Sequence, residues 1–302
     1  MSQQIDTALV QSYRNNIDIG FQQRGSRLRK TVRNETQHAE YDYYDRIGSV
    51  EAQEVTTRHG DTPLNETPHD RRRVGLKDYD WADLIDNRDK LRMLADPTSS
   101  YVKNGVMALG RAMDRQIIAA AHGTAYTGKD GTTQVSFTAG QVVSYDATDM
   151  GTGSTEVGLS IAKLRKAKRI LEENEVIEDG DEVFCIVTAK MLQQLLQQTE
   201  ITSADYNTIK ALVEGKVDTF MGMKFVRTQL LTVESSTYRR ALVYPRQAML
   251  TALSQEITVR VDELPTKRYS VQVYVKGSFG SSRMWEEAIV GIDVDETYTF
   301  AS

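Results

Sequence analysis

Hydrophobic positions along the chain change their spacing from segment to segment, and the spacing names the elements. Val102, Val106, Leu109, Met113, Ile117 and Ala121 recur at steps of three and four behind Asp96-Pro97-Thr98, predicting one amphipathic helix that closes at His122-Gly123. About 25 residues at ~1.5 Å each make a rod of roughly 37 Å. Its other face carries Lys103, Arg111, Asp114 and Arg115, so the rod should rest on a sheet or a second helix. Leu164, Ala167, Ile170 and Leu171 mark a second helix opening near Ser160. Shorter helices are predicted over Trp81–Leu94, Ala189–Gln198 and Ala204–Glu214, the last stopped by Gly215.

Strand patterns fill the rest. They are expected at Val183–Val187, Met223–Val226, Ala241–Tyr244, Ala248–Leu253, Ile257–Val261, Tyr269–Val275 and Ala288–Val294. Residues 123–158 are rich in Gly, Thr, Ser and Asp and read as loops and hairpins, with β pieces at Gln134–Phe137 and Gln141–Tyr145. Mixed elements in this order predict an α+β chain.

One stretch fits no core. From Gly48 to Asp80 the flanks Ser49–Arg58 and Arg71–Tyr79 read as extended, around the turn chemistry of Asp61-Thr62-Pro63-Leu64-Asn65-Glu66-Thr67-Pro68. This long hairpin offers only Val50, Val55, Leu64, Val74, Leu76 and Tyr79 as large apolar groups, amid dense charge. A lone two-stranded ribbon is marginal in water, so it should lie on a partner, most economically another copy of the chain.

Composition narrows the class. The 302 residues are 40% hydrophobic and 26% charged, which suits a folded chain. No run approaches the ~18 apolar residues of a membrane helix, and Met1–Val10 lacks a signal-peptide layout. A net charge of −5 disfavours a dedicated DNA-binding protein. The basic residues nevertheless gather locally. Residues 1–33 hold Arg14, Arg24, Arg27, Arg29, Lys30 and Arg33 against Asp6 and Asp18, and with Gly20 and Gly25 they read as an extended arm able to touch phosphate without sequence preference.

Candidate chemistry is thin. Gly123-Thr124-Ala125-Tyr126-Thr127-Gly128-Lys129-Asp130 matches a phosphate loop until its last position, where an acid replaces the required Ser or Thr, and it follows a helix instead of a strand. His38, His59, His69 and His122 show no metal-ligand spacing, although His59 and His69 could face each other across the hairpin. The single cysteine, Cys185, sits in an apolar run and reads as buried. No nucleophile motif occurs, so neither enzyme nor cofactor is expected. Arg71-Arg72-Arg73 on a strand would put two arginines on one face and one on the other, better suited to a neighbour's carboxylates than to DNA.

Three stretches, together with the order of parts, resemble the major capsid proteins of tailed bacteriophages, which share the Hong Kong 97-like fold. They are Thr57-Arg58-His59-Gly60-Asp61-Thr62-Pro63 with Arg71-Arg72-Arg73-Val74; Ala108-Leu109-Gly110-Arg111-Ala112-Met113-Asp114 continuing to Thr124-Ala125-Tyr126-Thr127-Gly128-Lys129; and Thr202-Ser203-Ala204-Asp205-Tyr206-Asn207-Thr208 with Asp218-Thr219-Phe220.

The resemblance implies an N-terminal arm (1–45), an extended hairpin loop (46–80), a peripheral domain with its spine helix (81–154), an axial domain (155–255) and closing strands of the peripheral domain (256–302). It implies hexamers and pentamers of the chain tiling an icosahedral or prolate shell around double-stranded DNA, assembled in the host cytoplasm. Arg58, His59, Asp61, Arg71, Arg72 and Arg73 become inter-subunit contacts, and Arg24, Arg27, Arg29 and Lys30 candidates to face the genome. A portal and a decoration protein are further implied partners. Since only residues 1–45 precede the hairpin, a separate scaffolding protein and no cleaved N-terminal extension are expected. An encapsulin-like cargo shell is the alternative, and shares the fold.

Overall fold

The computed structural model describes residues 22–54, 56, 58, 64–86, 98–149, 151–155, 157–178, 180–197, 211, 218–234 and 238–299. Strands β1 (Arg33–Thr36), β2 (Tyr41–Ile47), β3 (His69–Gly75) and β4 (Lys77–Ile85) precede the long helix α1 (Thr98–His122). Then β5 (Ala125–Thr127), β6 (Thr133–Val135) and β7 (Val142–Val143) lead to α2 (Ile161–Glu173), and β8 (Val183–Val187) leads to α3 (Ala189–Gln197). The chain closes with β9 (Thr219–Phe220), β10 (Met223–Arg227), β11 (Tyr238–Pro245), β12 (Met249–Leu264), β13 (Ser270–Arg283) and β14 (Val290–Asp295).

Contacts divide the chain into two compact units. The first comprises the described residues of Met1–Ser26, Asp78–Arg111 and Gln255–Ser278. Here Ile85, Leu109, Val273 and Val275 are buried beneath Tyr79, Trp81, Val102, Val106, Ile257 and Val259, so the apolar stripe of α1 lies on strand side chains. The approach is close enough that a Cβ on Gly105 would stand 2.6 Å from the Trp81 ring and 2.8 Å from Val275. Residues 22–26 run along α1, with Gln22 donating to the Asn104 side chain at 2.8 Å.

The second unit holds the described residues of Arg27–Lys77, Ala112–Ser254 and Phe279–Ser302. A six-stranded mixed sheet in the order β7-β14-β11-β8-β10-β9 is its centre, and all five residues of β8 are buried. Helix α2 packs on β14 and β7 and starts at Ser160, whose Oγ accepts the Lys163 N–H at 3.3 Å. Gln194 of α3 donates to the Asp295 carbonyl at 2.6 Å and accepts the Leu159 N–H at 3.0 Å, tying the helix to the end of β14. A smaller sheet, β2-β3-β5-β6, carries the hairpin, and β1 pairs in parallel with the start of β12.

The structure corrects several sequence expectations. Lys77–Ile85, half of it expected as helix, is a strand: Tyr79, Trp81 and Ile85 lie on one face at period two, and that alternation outweighs helix propensity. Asp86 is not helical either; the rest of that expected helix (87–94), and Ala204–Glu214 apart from Ala211, lie outside the described residues. The two strands expected at Ala248–Leu253 and Ile257–Val261 are one, β12, whose polar middle marks the point where it becomes exposed, not a turn. The hairpin begins seven residues earlier than predicted, its stem being Tyr41–Ile47 against His69–Gly75. Part of the segment expected as an extended arm, 1–45, is packed into the second unit. Leu28, Thr31, Val32 and Gln37 are buried, and the Thr31 hydroxyl lies 2.9 Å from that of Tyr244.

Candidate assembly surface

The hairpin stem is built by strict alternation. Tyr41 faces Gly75 and Ile47 faces His69, with every residue between in register. On β2 the inward set is Asp42, Tyr44 and Arg46, while Tyr41, Tyr43, Asp45 and Ile47 point to solvent. On β3 the same rule turns Arg72 and Val74 inward and leaves His69 and Arg71 outside. Gly48 donates to the Pro68 carbonyl at 2.9 Å, just beyond the paired strands. Asn65 reaches back to the Glu51 carbonyl at 3.1 Å. Leu64 is 95% exposed, and Val50 and Ile47 are exposed as well, so the described residues past the stem present apolar groups to solvent.

Charge concentrates at the root. The Arg46 guanidinium donates to Asp70 at 2.9 Å, to the Met284 carbonyl at 2.6 Å and to Glu286 at 3.1 Å. Arg72, fully buried, donates to the other oxygen of Glu286 and to the Met284 carbonyl at 3.3 Å. Arg283 brings a third guanidinium within 3.7 Å of the same carboxylate. Asp70 accepts the Thr127 hydroxyl at 2.6 Å and the Arg71 N–H at 2.7 Å. Burial pushes the Asp70 carboxyl up, but the Thr127 and Arg46 hydrogen bonds outweigh it and hold the group well below the usual carboxylate range. Glu286 is likewise held down, its burial overcome by the charge of Arg72 and the hydrogen bond from Arg46.

This geometry redistributes the residues predicted as contacts. Arg72 has its partners within its own chain, as does Arg73, whose guanidinium stacks 4.9 Å from the Tyr41 ring and 4.5 Å from the Tyr126 ring. Arg71 pairs with Asp45 at 2.7 Å, both exposed. The expectation that Arg72 awaits a neighbour is therefore corrected: the pleat turns its side chain into the subunit's own interior, while Arg71 and Arg73 lie on the opposite face. Arg58 is exposed, whereas His59 and Asp61, and with them the His59–His69 pairing, lie outside the described residues.

In the basic N-terminal segment Arg24, Arg27 and Lys30 are exposed and Arg29 is half-buried. Arg27 donates to the Arg227 carbonyl at 2.7 Å, and its backbone N–H reaches the Asp114 carboxylate at 3.0 Å.

Three features escaped the sequence reading. Asp114, placed on the polar face of α1, is buried; Ile118 four residues on is buried too, so the apolar arc is wider than the stripe and includes it. Glu286 carried no local signal. The third is an exposed end to the β12–β13 hairpin, where Arg268 and Tyr269 both adopt positive φ (54° and 59°) and Val261 and Tyr269 are uncovered. Pro265-Thr266-Lys267 between two alternating runs was its available sign.

The remaining chemical candidates resolve into structure. Gly123–Asp130 forms β5 and the turn into β6, with Gly128 and Gly131 at positive φ and Gly131 donating back to Gly128 at 3.0 Å. A Cβ on Gly131 would lie 2.7 Å from the Arg73 side chain, so the glycine lets the turn close over that arginine. Cys185 is fully buried, and burial pushes its thiol up. Among the described residues no three His, Cys, Asp or Glu converge as a metal site, and no helix is long and apolar enough to cross a membrane.

A family model described as phage capsid protein matches residues 5–296. Among solved structures, a chain of the capsid of cyanophage P-SCSP1u is similar with a TM-score of 0.71 at 13% identity, over 99% of this chain and 95% of that one. A chain of the capsid of Ralstonia phage GP4 gives 0.73 at 11%, over 97% of both chains. One from the capsid asymmetric unit of cyanophage Pam1 gives 0.70 at 13%, over 96% of this chain and 97% of that one. No curated protein matches the sequence.

Proposed function

The chain belongs to the phage capsid protein family and is a structural major capsid protein of the virion shell, and from that premise we propose that the β2–β3 hairpin is the part by which each copy holds the next. The observation that carries this is the loop beyond the hairpin stem, where among the described residues Leu64 stands 95% exposed and Val50 is exposed as well. Exposed apolar groups on such a loop are stabilised only when another surface covers them. The contact set is Arg58 and Arg71 with Val50 and Leu64, joined by His59 and Asp61 from the same loop. Arg72 acts from inside the subunit, holding the stem in place, and Arg73 stacks on Tyr41 and Tyr126 of the same chain.

On this reading the unit containing the start of α1, β4 and the β12–β13 hairpin is the peripheral domain, and the six-stranded sheet with α2 and α3 is the axial domain. Identical copies form hexamers and pentamers, and each modest contact is multiplied over a closed shell. A net charge of −5 suits a wall that need not grip its DNA, with Arg24, Arg27 and Lys30 supplying weak contacts to the packaged genome. Scaffolding protein, portal and decoration protein are partners from outside the chain, and assembly takes place in the host cytoplasm. The subunit turns over no substrate. An encapsulin-like compartment is not favoured, because the family model and the similar structures are of phage capsids.

Negative-stain microscopy of the purified protein, with and without a co-expressed scaffolding protein, tests the reading. Shells or capsomers are expected from the wild type, and from Leu64→Asp a folded subunit that assembles poorly. Normal shells from Leu64→Asp would misassign the hairpin, and a persistent monomer under all conditions would overturn assembly itself.

A further inference from the structure

Two different forces hold the hairpin stem to its unit. At the Tyr41/Gly75 end the hold is apolar: Tyr44, Val74 and Leu76 pack with Leu250, Ala252, Met284 and Trp285. Toward the Ile47/His69 end it is ionic. The inward groups there are Arg46, Asp70 and Arg72, and they meet Glu286 and the Met284 carbonyl. Backbone pairing adds little, since β3 pairs with β5 only through Arg72 and Arg73.

Glu286 is the centre of this hold. One of its oxygens takes Arg72 and has Arg283 at 3.7 Å, the other takes Arg46 at 3.1 Å, and the Arg46 guanidinium lies 5.0 Å from the centre of the Trp285 ring. Arg72 is fully buried with its Nε and Nη1 lacking hydrogen-bond partners among the described residues, so its bond to Glu286 is its ion pair. Buried ion clusters are rarely the cheapest source of stability, and an apolar core of equal volume often does as well. Their best-attested gain is to fix one arrangement over its alternatives. An apolar seam along this stem would tolerate sliding and tilting, whereas a carboxylate whose two oxygens are each held by a different guanidinium does not.

We propose that Glu286 is a positioning residue that sets the direction in which the hairpin leaves the subunit, acting through Arg46 and Arg72, and that this ionic hold can open while the rest of the fold stays closed. The consequence for assembly rests on the hairpin contacting a neighbour; the consequence for the isolated subunit does not. Asp70 supports the hold from behind Arg46, and Thr127 in turn fixes Asp70.

Amide hydrogen exchange on the full-length unassembled subunit separates the two. In Glu286→Gln and in Arg46→Gln, residues 41–47 and 69–75 should exchange at least about tenfold faster, while β8 and α2 keep wild-type protection. Arg46→Lys, which keeps the charge but loses the fork, should fall between. If Glu286→Gln also loses protection in β8, it has unfolded and Arg46→Gln decides, because the Arg72–Glu286 pair survives there. Wild-type protection of the stem in Arg46→Gln overturns the positioning role, whatever happens to assembly. A stem that is released yet still closes normal shells upholds the hold and overturns the hairpin's role in assembly.

Discussion

Oδ1 of Asp114 accepts the backbone N–H of Leu28 at 3.1 Å, with both residues withdrawn from solvent. A carboxylate in the middle of α1 thereby fixes the point where the N-terminal segment turns into the second unit. Asp114→Ala should cost about 2–3 kcal/mol, the range of charge-assisted hydrogen bonds left unmade in the interior. Asp114→Asn, which keeps an acceptor, should cost less. Urea unfolding measures both, and equal stability of all three proteins would show that the bond carries no weight.

Gly110 sets two familiar effects against each other. Alanine normally improves a helix interior by about 1 kcal/mol over glycine. Here the new Cβ would stand 2.6 Å from the backbone of Gly25, which has no side-chain freedom with which to yield. Overpacking of that kind costs about 1–3 kcal/mol. Gly110→Ala should therefore be neutral to destabilising and should expose residues 22–26 to protease. A more stable, equally protected variant would sink the argument.

The neighbouring arginines should behave differently. Arg71 is half exposed and pairs with exposed Asp45, so Arg71→Ala should change subunit stability by less than about 1 kcal/mol and act mainly on assembly. Arg72 is buried against Glu286, and Arg72→Ala should cost about 3 kcal/mol, the lower end for a broken buried ion pair, because Arg46 and Arg283 still face that carboxylate. Melting the two variants beside the wild type tests the ranking, and a reversed order would mean that the strand faces are misassigned.

Acid should weaken the subunit in two stages. Burial holds His122 below its ordinary 6.5, so the unfolded chain takes up that proton first and stability begins to fall as the pH drops below 6.5. Asp70 and Glu286 are held below 3.8 and 4.5, so their contribution is complete above those values and is lost as the pH falls through them toward the lowered native values. Denaturant midpoints measured from pH 8 to pH 3 should stay flat at first, slope gently, then drop steeply. A midpoint that rises toward pH 3 contradicts the sign of all three shifts.

Cys185 should be inert. It is fully buried and burial raises its thiol pKa, so a thiol reagent at neutral pH should label it only after denaturant is added. Labelling of the native subunit at the rate of a free thiol would contradict its position in β8.

Much of this was written in local pattern. The steps of three and four from Val102 to Ala121 determined α1, because a helix repeats its face every 3.6 residues and needs no distant information to do so. The apolar run of β8 and the cap at Ser160 were legible for the same reason. The shortage of apolar groups between Gly48 and Asp80 is visible in the sequence alone.

Only the tertiary structure decided where each charge goes. Arg71, Arg72 and Arg73 are identical in sequence terms. The pleat sends the first outward to Asp45 and the second inward to Glu286, while the third stacks between Tyr41 and Tyr126. Partners far apart in the chain, such as Arg72 and Glu286 or Leu28 and Asp114, leave no periodic trace. Their pairing energy exists only once folding has excluded the water that would otherwise solvate them.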